Sequence, residues 1–153
     1  MMIRTKSRLR LCVTLLMVNL AFIWGNSLLP GELSGAFSDW VRDLIAPLFG
    51  SSPGESTGGG LLRKLAHFTE FLALGMCLRW LYGMLVQKQP WQMAFSAGSA
   101  IVTACIDETI QVFVPGRGPG LMDVGLDSLG AVLGITLLSV IHHYRKKHLE
   151  VTP

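Results

Sequence analysis

Residues 91–142 read WQMAFSAGSAIVTACIDETIQVFVPGRGPGLMDVGLDSLGAVLGITLLSVIH. Two apolar runs, each long enough to cross a bilayer as a helix, flank a turn in which proline and glycine surround Arg117. The first run carries Asp107, Glu108 and Gln111 near its end, and the second carries Asp123 and Asp127 near its start. Carboxylates inside such segments are costly in hydrocarbon, so they face protein or water and are functional candidates by default.

The rest of the chain repeats the pattern. A run from about 61 to 86 opens with Arg63, Lys64, His67 and Glu70, and a first run from about 11 to 29 has Asn19 as its polar interior residue. Trp24 lies toward the far end of that run, and Ser27 and Pro30 close it. Half of the 153 residues are apolar, only 15% are charged, and mean hydropathy is +0.48, which places the chain among integral membrane proteins. Four spans of roughly 20 residues each leave room for one sizeable loop. The expected fold is therefore all-α, a polytopic membrane four-helix bundle with spans at about 11–29, 61–86, 91–114 and 121–142, forming a single domain over 1–153.

Charge distribution sets the orientation. Arg4, Lys6, Arg8 and Arg10 precede the first span, and Arg145, Lys146 and Lys147 follow the last. Basic clusters of this kind favour the cytoplasmic side, which puts both termini there. Each cluster is short and abuts a membrane segment, so a nucleic-acid partner does not fit. The first run is longer than a signal-peptide core and no A-x-A site follows it, so it is expected to be a retained span. Cys12, Cys77 and Cys105 are scattered in apolar runs without C-x-x-C spacing and read as packing residues.

Between the first two spans, Phe37, Trp40, Val41, Leu44, Ile45, Leu48 and Phe49 recur at three- and four-residue spacing, with Asp39, Arg42 and Asp43 on other faces. This predicts a short amphipathic helix in the first outer loop, on the membrane surface or capping the bundle mouth. Pro47 is expected to end or bend it. The Gly- and Ser-rich stretch from Ser51 to Gly60 reads as a connector.

With both termini on one side, the start of span two, the end of span three and the start of span four meet at the opposite, outer face. Arg63, His67 and Glu70 share one helix face, as do Asp107 with Gln111 and Asp123 with Asp127. Asp107 and Glu108 are adjacent, so one is expected to face the site and the other a neighbour or the rim. His67, Glu70, Asp107 and Glu108 are the candidate catalytic residues. Arg63, Lys64, Gln111, Arg117, Asp123 and Asp127 are the candidate substrate-binding residues. Three uses fit such a set: acid–base work with His67 as proton carrier, a divalent metal held by acid and imidazole ligands, or buried ion pairs that tie helices together. Arg117 either helps Arg63 or Lys64 clamp an anionic head group or pairs with Asp123. No cofactor is evident beyond the metal that these donors suit. Gly130 and Gly134 form a G-x-x-x-G pair that permits close backbone packing.

Three blocks in this order resemble the VanZ-like membrane proteins. Arg63-Lys64-Leu65-Ala66-His67-Phe68-Thr69-Glu70-Phe71 with Leu74-Gly75 is similar to the family's first signature. Asp107-Glu108-Thr109-Ile110-Gln111-Val112-Phe113-Val114-Pro115-Gly116-Arg117 resembles the second, and Asp123-Val124, Asp127-Ser128 and Leu129-Gly130-Ala131 the third. Ser27-Leu28-Leu29-Pro30 is similar to the pattern that closes the family's first span. The resemblance covers about residues 12 to 140 and implies a bacterial membrane protein whose shared residues fall at Lys64, His67, Glu70, Asp107, Glu108, Gln111, Arg117, Asp123 and Asp127. It assigns no reaction, and the low-level glycopeptide resistance linked to the family's named member does not transfer by resemblance. One departure stands out: Gly120-Leu121-Met122 occupies the place of a small hydroxyl residue before the span-four aspartate, which removes an N-cap.

Three functions follow as expectations. The first is a cell-envelope protein of the bacterial cytoplasmic membrane that binds or processes an anionic lipid-linked substrate at the outer face. The second is a non-enzymatic scaffold or partner subunit of another envelope protein, whose buried charges are structural. The third is a transporter component, disfavoured by four spans without a visible inverted repeat. Membrane lipid is a partner in all three.

Overall fold

Apolar length and capping residues divide the chain into helices. The computed structural model describes residues 2–45, 59–118 and 120–151, and its elements are α1 (Met2–Ser27), α2 (Gly31–Ile45), α3 (Gly59–Leu85), α4 (Gln89–Val112) and α5 (Leu121–Val151). Helix α1 ends before Pro30, and α2 starts at once, its first bond running from Ser34 N–H to Pro30 C=O at 3.0 Å. A proline in the first turn opens α4, and the Gln92 side chain bonds Val86 C=O at 2.6 Å across the α3–α4 corner. Segments Lys6–Ser27, Gln89–Val112 and Leu121–Arg145 are long and apolar enough to cross a membrane. The fold is thus all-α with several membrane-length apolar helices, a polytopic helical membrane architecture.

Five helices are present among the described residues, not a simple bundle of four. The extra element is larger than the short loop helix expected, because the helix begins right after Pro30 and not near Phe37. Its small polar face, Ser34 and Ser38, is buried, whereas Leu33, Phe37, Trp40 and Leu44 are exposed. Helix α2 therefore rests on the protein through serines and turns its large apolar side chains outward, where lipid would cover them. The expected connector gives its last two residues, Gly59 and Gly60, to α3. Its remainder, Pro47 with Leu48 and Phe49, and Pro119 lie outside the described residues.

Helix α3 is central. It packs most extensively on α5 and also touches α1, α2 and α4. Ile23, Phe71, Leu74, Leu78, Ala100, Ala104 and Ala131 form the apolar core between these helices. The α3–α5 contact is backbone-close: a Cβ on Gly75 would fall on the Ala131 carbonyl, and one on Gly134 would fall on the Leu72 carbonyl. Gly130 meets the Phe68 carbonyl in the same way. The G-x-x-x-G pair thus has the close-packing role read from its spacing. A second close approach locks the two corners at one end of the molecule. Gly116, at φ 73°, turns the α4–α5 corner against Gly31, whose N–H donates to Pro115 C=O at 3.0 Å.

This packing gives the first expected outcome. Gly75→Val forces α3 and α5 apart and should lower stability by about 1–3 kcal/mol, as overpacking does, read as a drop in the melting temperature of the detergent-purified protein. Gly98→Ala, at a helical glycine with open space around it, should be neutral or stabilising by up to about 1 kcal/mol.

Candidate functional site at one end of the bundle

The C-terminal ends of α1 and α4 and the N-terminal ends of α3 and α5 lie together. Helical spacing puts His67 and Glu70 on one face of α3, and Asp107 and Gln111 on one face of α4. Asp127 arrives from the second turn of α5. Asp107 is 0% exposed, Asp127 1%, His67 6% and Glu70 7%, so the inner cluster is enclosed.

His67 Nδ1 lies 3.7 Å from Asp107 Oδ2 and 4.0 Å from Glu70 Oε2, too far for hydrogen bonds. Gln111 Nε2 donates to Asp107 Oδ2 at 3.0 Å and to Ser27 Oγ at 3.2 Å, tying α4 to the end of α1. Asn26 Nδ2 donates to Glu70 Oε1 at 3.0 Å, and Asn19 Nδ2 donates to the Glu70 carbonyl at 3.3 Å. Both nitrogens of His67, Glu70 Oε2, Asp107 Oδ1 and Asp127 Oδ2 are buried without a hydrogen-bond partner among the described residues. One ligand atom from each of His67, Asp107 and Asp127 lies within 4.8 Å of the others, a donor trio that suits a divalent metal.

The rim is satisfied differently. Glu108 accepts from Gly120 N–H at 2.9 Å. It thereby takes over the start of α5, where the chain lacks a hydroxyl cap, and its charge suits the helix dipole. Asp123 pairs with Lys64 Nζ at 3.2 Å, not with Arg117. Arg117 instead donates from Nη2 to Asn26 C=O at 2.6 Å and from Nε to Leu29 C=O at 3.0 Å. It therefore caps the C-terminal carbonyls of α1. Burial pushes the Arg117 pKa below the usual guanidinium value and nearby Arg63 pushes it further, against the pull of Asp107, Glu108 and Glu70. A guanidinium so placed keeps its charge.

Two openings adjoin the cluster. A polar crevice of about 10 Å³, room for a single water-sized body, is lined by Arg63, Lys64, His67, Glu108, Asp123 and Asp127, among others. On the other side of α3, a groove of about 660 Å³ runs between α1, α2 and α3. Phe22, Leu29, Phe37, Val41 and Leu62 make its walls apolar, and Asn26, Arg63 and Glu70 reach its edge.

The structure brings every residue named from the sequence to this end, with Arg117 and Glu108 engaged in holding helix termini. Sequence reasoning missed Asn26, which both donates to Glu70 and receives Arg117. The signal was there: Asn19 and Asn26 are seven residues apart, hence on one face of α1. It also passed over Arg79, buried near the opposite end of α3 with Nε donating to Ser139 Oγ at 2.8 Å. An arginine inside an apolar run is itself a flag.

Because Arg117 binds two carbonyls in a fixed fork, Arg117→Lys should destabilise the purified protein by about 1.5–3 kcal/mol, the scale of hydrogen bonds from charged groups. The measurement is thermal unfolding in detergent with helix content checked by circular dichroism.

Neither a curated protein nor a solved structure matches the sequence. A family does: the VanZ/LLP1 description matches residues 9–142. That stretch holds all of the cluster, the three close glycine contacts between α3 and α5, and the corner that carries Arg117. The chain belongs to the VanZ/LLP1 family of membrane proteins.

Proposed function

We propose that this protein binds or processes an anionic lipid-linked substrate at the extracytoplasmic face of the bacterial cytoplasmic membrane. In this reading residues 1–153 form one domain, α1, α3, α4 and α5 are the four spans, and both termini are cytoplasmic. The supporting pattern is the basic residues at the far ends of α1 and α5, which follow the positive-inside rule. Helix α3 falls short of simple hydropathy because Arg63, Lys64, Glu70 and Arg79 interrupt it, yet its 27 residues are long enough to span.

The observation that carries the reading is the position of Arg63. It lines both the polar crevice and the apolar groove, and it makes no hydrogen bond or ion pair among the described residues. A ligand with a charged head and a long apolar tail matches that junction. Its head meets Arg63 and Lys64, and its tail follows the groove between α1, α2 and α3. His67, Glu70, Asp107 and Asp127 then face the head group from within, while Glu108, Gln111, Asp123 and Arg117 hold the helix ends that shape the mouth.

Reconstitution into nanodiscs with a polyprenyl phosphate or phosphatidic acid, followed by native mass spectrometry, tests this reading. The wild type should retain the anionic lipid over a neutral one of equal chain length. Arg63→Ala combined with Lys64→Ala should reduce that retention about tenfold, the loss of roughly 1.4 kcal/mol, while helix content stays unchanged. Equal retention of neutral and anionic lipid would favour a scaffold whose charges serve only to join helices. His67→Gln, Glu70→Gln and Asp107→Asn, each scored for protein level and envelope phenotype, separate loss of function from loss of fold.

A further inference from the structure

We propose that His67, Asp107 and Asp127 hold a divalent cation of the Mn²⁺ or Zn²⁺ kind. This goes beyond the lipid reading and stands without it, since it concerns the cluster alone.

Three observations support it. First, the trio comes from three different helices, and its ligand atoms lie within 4.8 Å of one another. Atoms bound to one ion at about 2.0–2.2 Å lie about 3–4.3 Å apart, so small side-chain rotations close the set. Second, the polar atoms that would bind are buried and have no hydrogen-bond partner among the described residues: both His67 nitrogens, Asp107 Oδ1 and Asp127 Oδ2. Buried polar atoms are ordinarily satisfied, and an unmodified cluster of this kind leaves several donors and acceptors stranded at once. A bound cation satisfies an oxygen from each aspartate and one imidazole nitrogen together.

Third, none of the nearby cations pairs with the trio: Arg63 lines the crevice but makes no ion pair among the described residues, and the others are engaged elsewhere. Lys64 pairs with Asp123, and Arg117 is bound to the carbonyls of α1. Gln111 already donates to Asp107 Oδ2, the outer hydrogen bond that orients a ligating carboxylate. Glu70 Oε2, also unpartnered and 4.0 Å from His67 Nδ1, stands beside the trio. The polar crevice reaches His67 and Asp127 from outside, which gives an ion a way in.

The donor set narrows the ion. An imidazole nitrogen is a poor partner for Mg²⁺ or Ca²⁺, which take oxygen ligands. The absence of a thiolate disfavours soft ions. One imidazole with two carboxylates suits Mn²⁺ or Zn²⁺ and leaves coordination positions for water or for an anionic oxygen.

The test uses the full chain in detergent, stripped with chelator, desalted and titrated separately with Mn²⁺ and Zn²⁺. Bound metal is quantified by mass spectrometry, and folding is followed by size exclusion and circular dichroism. Wild type and Glu32→Gln, a change on the exposed face of α2, should each take up one equivalent. Asp107→Asn and Asp127→Asn should bind about 100-fold more weakly, at least the upper end of what loss of an outer-shell partner costs. Should either variant fail to fold, the wild type still decides. Pulsed electron paramagnetic resonance of bound Mn²⁺ should show coupling to one imidazole nitrogen, lost in His67→Gln. Folded wild type that takes up neither ion, equal uptake by the aspartate variants, or Mn²⁺ without nitrogen coupling would each overturn the site. None of these readouts involves lipid, so the result stands apart from the nanodisc test.

Discussion

Removing carboxylates from water at one end of an apolar bundle is the constraint that shapes this molecule. Glu70, Asp107 and Asp127 are nearly inaccessible, and an unsolvated charge there costs several kcal/mol unless the protein replaces water. Much of the surrounding sequence does that work. Asn26 serves Glu70 from a neighbouring helix, and Gln111 serves Asp107 from one turn further along α4 while also bonding Ser27 of α1. These bonds cross between α1 and α3 and between α4 and α1, so solvating the acids also fixes the helix order.

Such bonds have the right length only if the helices approach closely and in one register. Gly75, Gly130 and Gly134 provide that approach between α3 and α5. The close contact puts Asp127 beside His67 and Asp107, although no strong pairwise bond draws it there. Apolar packing in a membrane lacks the drive that water supplies, so small residues and interhelical hydrogen bonds take a larger share of helix association. Here the two are split by depth. Glycines and the Phe71–Leu74–Ala131 core hold the middle, and polar bonds hold the end.

Much of this was legible in the sequence. Period and hydropathy located α3 and α4 to within about two residues at each end, whereas α1 starts earlier and α5 runs further than the apolar runs at 11–29 and 121–142, because their basic flanks are helical too. The charges aligned by topology, His67, Glu70, Asp107 and Asp127, lie together at one end of the bundle. What the sequence left open were choices between equal partners. Nothing in the spacing tells whether Arg117 takes Asp123 or a carbonyl, because both are within reach of a long side chain. The outcome depends on the Gly31–Gly116 contact, which brings the α1 terminus to the α4–α5 corner and is a long-range event. The extent of α2 was missed for a related reason. Its buried face is serine, so a search for apolar periodicity finds the lipid-facing stripe and starts the helix late.

If α3 is a fourth span, as proposed, the site and the span obscure each other. The residues that make its first turns chemically interesting, Arg63, Lys64, His67 and Glu70, also interrupt its apolar run, and α3 is not among the helices apolar enough to cross by composition alone. A charged group close to the end of a span is tolerated far better than one at its centre, because a long side chain can reach the interface. In that arrangement Arg63 and Lys64 would occupy that favourable depth, whereas His67 and Glu70 lie one to two turns further along α3. The chain thus grades its charges along α3 from solvent-seeking cations to enclosed acid and imidazole. An anion drawn in by the outer pair would meet the donors of the inner set next, and the apolar groove beside them opens where a hydrocarbon chain would have to run.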